Sequence, residues 1–286
     1  MNYQKRYYQE FASVTPTYTS FYRIPLEKYE KYSHPSNLPK QKRVDNRSIR
    51  RLQKALNYLL ITSPIQTTYC KEMKKHVRFK LNFITLTLSD KQIHDDEYFR
   101  VNLLDRFLKW LVYKGATGYV WKAETQKNGN IHFHITSNKY IHWKDIRSYW
   151  NALQFKHGYL ANYLNTNGHT DANSTDIHAI KNEEKAMKYM SKYMLKEQKD
   201  RREIDGRNFG YSRNLANIKL NFETTSKEYE QIHNYLTTLK PNFVAFDFIS
   251  VMWHDIINLN SCPSSLAKMI VEQVAWKPSK QSKHSQ

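Results

Sequence analysis

The stretch GYVWKAETQKNGNIHFHIT, residues 118–136, decides how this chain reads. Two runs rich in β-branched and aromatic residues flank a Lys127-Asn128-Gly129 turn, the pattern of a β-hairpin. Alternate strand residues share a face, so His132 and His134 point one way while Ile131, Phe133 and Ile135 point into the core. Two imidazoles so placed lie about 7 Å apart at Cα and can chelate one divalent ion. Glu124, on the partner strand, is the candidate third ligand, and the turn decides whether it faces them. A two-residue Asn128-Gly129 loop would pair Glu124 with Phe133 and bury a carboxylate in an apolar row. A three-residue loop, Lys127 to Gly129 with Gly129 left-handed, pairs Glu124 with His132 instead. The second register is the expected one. Two imidazoles and a carboxylate with open positions suit Mn2+ or Mg2+, although the histidines would also accept zinc or other transition metals. An isolated H-x-H strand is common; Glu124 in reach is what raises it above pattern.

Working outward, VRFKLNFITLTLSD (77–90) alternates and then turns almost wholly apolar, as a buried central strand does. Phe99, Leu103, Leu104, Phe107, Leu108 and Leu111 trace one helical face over 95–113. Ile49, Leu52, Ala55, Leu56 and Leu59 do the same over 47–62, behind the capping candidates Asn46 and Ser48. A helix at 143–154, a short strand TDIHAI at 175–180 and a helix over 182–196 complete a β-α-β-β-α-β-α order. That order implies an α+β fold, with helices packed on an antiparallel central sheet. Residues 1–45, rich in Tyr, Lys and Pro and without a period, are expected to form an irregular basic arm. Residues 46–225 would hold the site. Residues 226–286 would form a small C-terminal extension, with a helix at 227–239, an apolar run at 243–253 and a frayed polar tail.

The 286 residues are 40% hydrophobic and 14% aromatic, enough for a core. Against 26 acidic residues stand 45 Lys and Arg, a net charge of +19. Such a field concentrates polyanions, and nucleic acid fits it better than anionic membrane. The apolar runs at 83–88 and 243–253 fall short of the ~20 residues a spanning helix needs. The opening MNYQKRYYQEF lacks the apolar core of a secretory signal. The expectation is no membrane and a cytosolic setting. Cys70 and Cys262 lack any metal-ligand spacing and read as reduced thiols, which excludes zinc held by cysteines. Gly is scarce and no G-x-x-x-x-G-K-[ST] occurs, so no phosphate-cradling loop and no appended helicase is expected.

The segment KAMKYMSKYMLK (185–196) places Tyr189 and Tyr193 four apart, with Lys188, Lys192 and Lys196 at the same spacing. At about 100° per residue both tyrosines share a helical face flanked by Lys192 and Lys196, while Met187, Met190 and Met194 occupy another. An ordinary amphipathic surface helix would show the same pattern. The chemical reading is that a phenol near a metal-bound phosphate attacks it while lysine offsets the charge.

Together these residues resemble the HUH endonucleases, and most closely the replication initiators of microviruses, small single-stranded DNA phages. FITLTLS (83–89) is similar to the family's first motif, IHFHI (131–135) to the metal-binding second, and YMSKYMLK (189–196) to the two-tyrosine third. WKAETQKNGNIHFHI (121–135), STDIHAI (174–180) and YSRNL (211–215) extend the likeness, which spans about residues 47–220. The resemblance implies a ferredoxin-like, RNA-recognition-like sheet, the HUH endonuclease fold. It also implies a divalent metal, Mg or Mn, held by His132, His134 and Glu124, with His178 as an alternative ligand. Tyr189 or Tyr193 would cut single-stranded origin DNA, leaving a 5′-phosphotyrosine and a 3′-OH that primes a host DNA polymerase. Lys192 and Lys196 would position the phosphate, a host helicase would open the strands, and the setting would be the host cytoplasm. A plasmid initiator of the same superfamily would share every motif. A non-catalytic single-stranded DNA-binding protein would explain the charge and the 21 tyrosines, but not the histidine and tyrosine pairs together. A relaxase would carry a third histidine in the metal motif, and a single-tyrosine transposase would not need the second tyrosine.

Overall fold

A computed structural model describes residues 8–25, 46–70, 74–180, 202–216, 221–223, 225–239, 241–245 and 249–275. It divides into two compact units, one of Lys42–Ala216 and one formed by Met1–Gln41 with Asn217–Gln286. Along the chain run strands β1 (Tyr8–Val14) and β2 (Tyr18–Pro25), then β3 (Gln66–Cys70) and β4 (Lys75–Phe79). The strands β5 (Leu81–Leu86), β6 (Tyr119–Thr125), β7 (Ile131–Ser137), β8 (Thr175–Ile180) and β9 (Phe209–Tyr211) follow. The last three are β10 (Asn221–Glu223), β11 (Asn242–Ala245) and β12 (Ile249–Trp253).

The larger unit is built on the sheet β8-β5-β7-β6-β9, antiparallel at every pairing. Because β5 and β6 both run antiparallel to β7, they are parallel to each other with β7 between them, a split β-α-β arrangement. The crossover is helical from Asp96 to Tyr113, interrupted by a π-helical stretch at Arg100–Leu104. A second helix, Trp143–Lys156, connects β7 toward β8. Ile84 and Leu86 of β5, Trp121 and Ala123 of β6, and Phe133 and Ile135 of β7 face these two helices and meet Leu104, Phe107 and Trp150. Each such side chain taken from water stabilises the fold by roughly 1.5–3 kcal/mol, so this face of the sheet is committed to the core. The alternate residues of the same strands are left for the opposite face. The helix Asn46–Thr62 packs against β6 and β9. There Leu59 Cδ1 lies 2.7 Å from where a Cβ on Gly118 would stand, so the close approach requires glycine. The α+β class with an antiparallel sheet and packed helices is as the sequence implies.

Two expectations need correction. The stretch 77–90 is not one strand. β4 ends at Phe79 and pairs with β3 in a separate two-stranded sheet, while β5 starts at Leu81 in the centre of the main sheet. The chain bends at Lys80, whose N–H donates to the Ile180 carbonyl at 2.7 Å. The physical reason is visible in the composition: the alternating half stays half-wet and the apolar half is buried on both faces.

Nor is the N-terminal stretch irregular where it is described. β1 and β2 pair with each other and with β10 and β12 in a five-stranded sheet of order β10-β1-β2-β12-β11, so both ends of the chain share one unit. Ala12, Val14, Thr19 and Phe21 are buried in alternation, a period-two pattern that the abundance of Ser, Thr and Tyr obscures. The helix expected at 227–239 is present as Ser226–Thr238, opened by a Thr225–Glu228 capping box. The apolar run that follows is the hairpin β11–β12. A helix at Ser264–Val274 and a short one at Ala161–Asn167 carried no signal that was read. The helix expected at 182–196 and the polar tail lie outside the described residues. Among the described residues no helix is long and apolar enough to cross a membrane.

Candidate metal centre

The site begins with a turn. Gln126 N–H donates to Asn130 O at 2.8 Å, Gly129 N–H donates to Gln126 O at 3.0 Å, and Gly129 takes a φ of +85°. This is a three-residue loop closed by a left-handed glycine, and it pairs Glu124 with His132 and Lys122 with His134. The register expected from the turn is the one observed. Tertiary contacts hold the turn in place. Gln92 N–H donates to Asn130 Oδ1 at 2.9 Å and Ile131 N–H to Gln92 Oε1 at 2.7 Å. Arg202 donates from Nε to Gly129 O at 2.8 Å and grips the buried Asp96 carboxylate through both Nη atoms at 2.7 and 2.8 Å.

On the face opposite the helical core, Glu124 Oε2 lies 3.3 Å from His134 Nε2 and 3.6 Å from His132 Nε2. One ligand atom from each of the three residues falls within 4.8 Å of the others. Atoms bound to one ion at about 2.0–2.2 Å stand roughly 3–4 Å apart when adjacent, so the trio is spaced for a shared cation. Lys122 Nζ approaches the other carboxylate oxygen, Oε1, at 3.2 Å. His134 Nδ1 sits 3.1 Å from Thr85 Oγ1, and its ring stacks on Phe83 with centroids 5.4 Å apart. With Nδ1–H donating to Thr85, the lone pair of His134 Nε2 is left facing Glu124, the tautomer a metal ligand needs. His132 Nε2 is buried with no hydrogen-bond partner among the described residues. A buried nitrogen in that state is costly, and a bound cation would satisfy it.

Electrostatics agree with ligation. Burial alone would raise the Glu124 pKa, but the two imidazoles and the Lys122 ammonium outweigh it and hold the carboxyl well below the usual carboxylate range. Burial pushes the His134 pKa down, against the opposing pull of Glu124. An ionised carboxylate and a neutral imidazole are the forms that bind metal. The arrangement can therefore hold a divalent cation without first expelling protons.

His178, the alternative ligand, is not brought to this site. It lies on the edge strand β8, paired across from Phe83 of β5, and its Nε2 meets Asp176 Oδ2 at 2.8 Å. Two strand spacings, about 10 Å, separate β8 from β7. Tyr189, Lys192, Tyr193 and Lys196 lie outside the described residues. The chain enters that stretch after Ile180 and is next described at Arg202. Cys262 is a free thiol; the Cys70 side chain is outside what is described.

Lys122 and Thr85 were not singled out from the sequence. The alternation that places Glu124 with the histidines also places Lys122 there, so that signal was legible; Thr85 depended on the β5–β7 register.

Residues 81–198 match a family model described as replication-associated protein, of the ORF2 type. No curated protein and no solved structure matches the chain. The matched span opens at β5, includes the whole ligand hairpin and runs through Tyr189 and Tyr193. The match supports a replication initiator.

Proposed function

We propose that this chain is a site-specific nickase and strand-transferase that starts rolling-circle replication on single-stranded origin DNA, in the manner of an HUH endonuclease of a microvirus. The observation that carries the reading is the Glu124-His132-His134 cluster inside a stretch similar to replication-associated proteins. The β8-β5-β7-β6 order supports a ferredoxin-like sheet with the ligands on its central strands. A divalent ion, Mg2+ or Mn2+, bound by the three residues supplies a Lewis acid that polarises a phosphate oxygen.

Within the chain, Thr85 fixes the tautomer of His134, and Lys122 holds Oε1 so that Oε2 faces the histidines. The phenolic oxygen of Tyr189 or Tyr193 attacks phosphorus. The bond from phosphorus to the 3′ oxygen breaks, leaving a 5′-phosphotyrosine and a free 3′-OH. Lys192 and Lys196 offset the charge that develops on the phosphate. A host polymerase extends the 3′-OH while a host helicase opens the duplex, in the host cytoplasm. The second tyrosine cuts the regenerated origin, and the released 3′-OH rejoins the strand.

The test is incubation with Mn2+ and single-stranded DNA bearing the cognate origin, followed by denaturing electrophoresis. The wild type gives a protein–DNA adduct that survives denaturation, and the double variant Tyr189→Phe/Tyr193→Phe gives none. No adduct from the wild type, or an undiminished adduct from the double variant, sinks the proposal. A plasmid origin that is cleaved where the phage origin is not would move the assignment within the superfamily.

A further inference from the structure

A cavity of about 570 Å³ opens at the sheet edge between β8, the β3–β4 hairpin and the start of the helix Trp143–Lys156. It belongs to the face of the sheet turned away from the metal centre. Asn82 pairs with Ala179, and both take the alternation of Ile84 in the helical core, whereas Thr85, which touches His134, takes the other. Nothing in the proposed nicking chemistry uses it.

Two kinds of group line the cavity. Phe79, Tyr140 and Trp143 supply aromatic rings, and the Arg147 guanidinium lies over the Trp143 ring at 4.7 Å from its centroid. Asn82, Thr175 and Arg147 supply polar atoms, and Asn82 Oδ1, Thr175 Oγ1 and Arg147 Nε are all buried without a hydrogen-bond partner among the described residues. Asn82 is wholly buried and Thr175 is about nine-tenths buried, so water does not relieve them. Three orphaned groups on one cavity wall, an acceptor, a donor and a hydroxyl that is both, form a hydrogen-bonding set awaiting a partner.

The ligand must therefore be flat, able to stack, and equipped with donors and acceptors on its edge. A nucleobase has each of these properties. An aliphatic ligand would leave the polar set unmet, and a bare phosphate would leave the rings unused and face the Asp176 carboxylate at the rim. We propose that this cavity receives one unpaired nucleobase of the DNA bound by the protein, a site distinct from the metal centre. The proposal rests on the reading of the chain as a single-stranded DNA enzyme, and on the net charge of +19 that draws the strand.

The test compares binding of a mixed-sequence oligonucleotide with binding of an equal-length strand whose sugars carry no bases, by fluorescence anisotropy without added metal. The wild type prefers the base-bearing strand. Trp143→Ala reduces that preference by about five- to a hundredfold, the loss of one stacked base. Affinity for the abasic strand and its salt dependence stay unchanged, because no phosphate contact is removed. Trp143→Phe, which keeps a ring, retains most of the preference. A wild-type preference that Trp143→Ala leaves intact, or no preference in the wild type, overturns the cavity assignment. Either result with a normal tyrosyl adduct leaves the nickase reading standing. Loss of the adduct with the preference intact does the reverse.

Discussion

Replacing Lys122 with Met should tighten divalent metal binding, although Lys122 makes the closest ion pair to Glu124. In the metal-free protein its ammonium stands 3.2 Å from Oε1, while Oε2 faces the two histidines. At an effective dielectric near 20, the Lys122–Glu124 attraction at that distance is roughly 5 kcal/mol before relaxation. That attraction exists before and after an ion binds, so it largely cancels in the affinity. The repulsion between ammonium and a divalent ion does not cancel. A cation on Oε2 lies within about 6 Å of Nζ, and a double against a single charge at that range repels by roughly 5 kcal/mol before side-chain relaxation and salt reduce it to a fraction. Opposing this, Glu124 loses its tether and must be oriented on binding, about 1 kcal/mol of rotamer entropy. The repulsion wins, and we expect a net gain of ~1.4 kcal/mol, about tenfold in Kd.

The metal-free variant should also be less stable, because a buried carboxylate has lost its cation, a change worth up to about 3–5 kcal/mol when one partner of a buried pair is removed. Saturating Mn2+ should restore much of it. Isothermal titration with Mn2+ at pH 7.5 and thermal melts with and without the ion measure both effects. A Kd that is unchanged or weaker, in a variant that melts cooperatively, would refute the view that Lys122 competes with metal for the site.

Other perturbations follow from the same geometry. Gly129→Val puts a β-branched residue at φ +85°, where nothing crowds the new side chain and the cost is backbone strain alone; urea denaturation should show a loss of about 1–2 kcal/mol. Gly210→Ala brings a Cβ to 2.7 Å from Trp121 Nε1, a buried ring that cannot yield freely, and should destabilise by about 1–3 kcal/mol in the same assay. Burial would raise the pKa of Asp96, but hydrogen bonds from Arg202, Gln92 and the Asp205 N–H hold it below the ordinary carboxylate value. Its contribution to stability is therefore complete above the unfolded carboxylate pKa and is lost as pH falls through the lower folded value. Asp96→Asn should lower the Tm near pH 7 by several degrees while flattening the decline between pH 5 and 3; an equally steep acid decline in the variant would count against the Asp96–Arg202 pair.

The ligand hairpin was legible in the sequence because its determinants are local. A glycine three residues past Gln126 fixes the loop length, loop length fixes register, and register decides whether Glu124 meets His132 or Phe133. The helices at 46–62 and 96–113 were legible because their apolar spacing repeats over several turns. The break between β4 and β5 was not, since a continuous apolar-alternating run carries no mark of a bend when Lys80 is its only interruption. The strand β9 is three residues long and is placed by pairing with β6, not by any pattern of its own. The sheet that joins the two chain ends was hidden for a related reason: β1 and β2 find their partners more than two hundred residues away. Of the site itself, Glu124, His132 and His134 came from alternation on two neighbouring strands, and the same alternation pointed to Lys122.

The Arg202 clamp shows what local reading misses and why it matters for the chemistry. Its guanidinium joins three separate pieces of chain: the Gly129 carbonyl of the ligand turn, the Asp96 carboxylate at the head of the crossover helix, and Gln92, which itself holds Asn130 and Ile131. Thr125 returns the contact by donating from Oγ1 to Arg202 O at 3.1 Å. Upstream, Ile180 accepts from Lys80 N–H at 2.7 Å and is paired to Leu81. The polypeptide that carries Tyr189 and Tyr193 is thus bounded at one end by β5, which also supplies Thr85 to His134, and at the other by the turn that sets the Glu124 register. Both boundaries belong to elements that position metal ligands. An enzyme whose nucleophile must meet a metal-held phosphate gains accuracy from such shared anchors, because motion of the ligand strands carries both ends of the nucleophile segment with them.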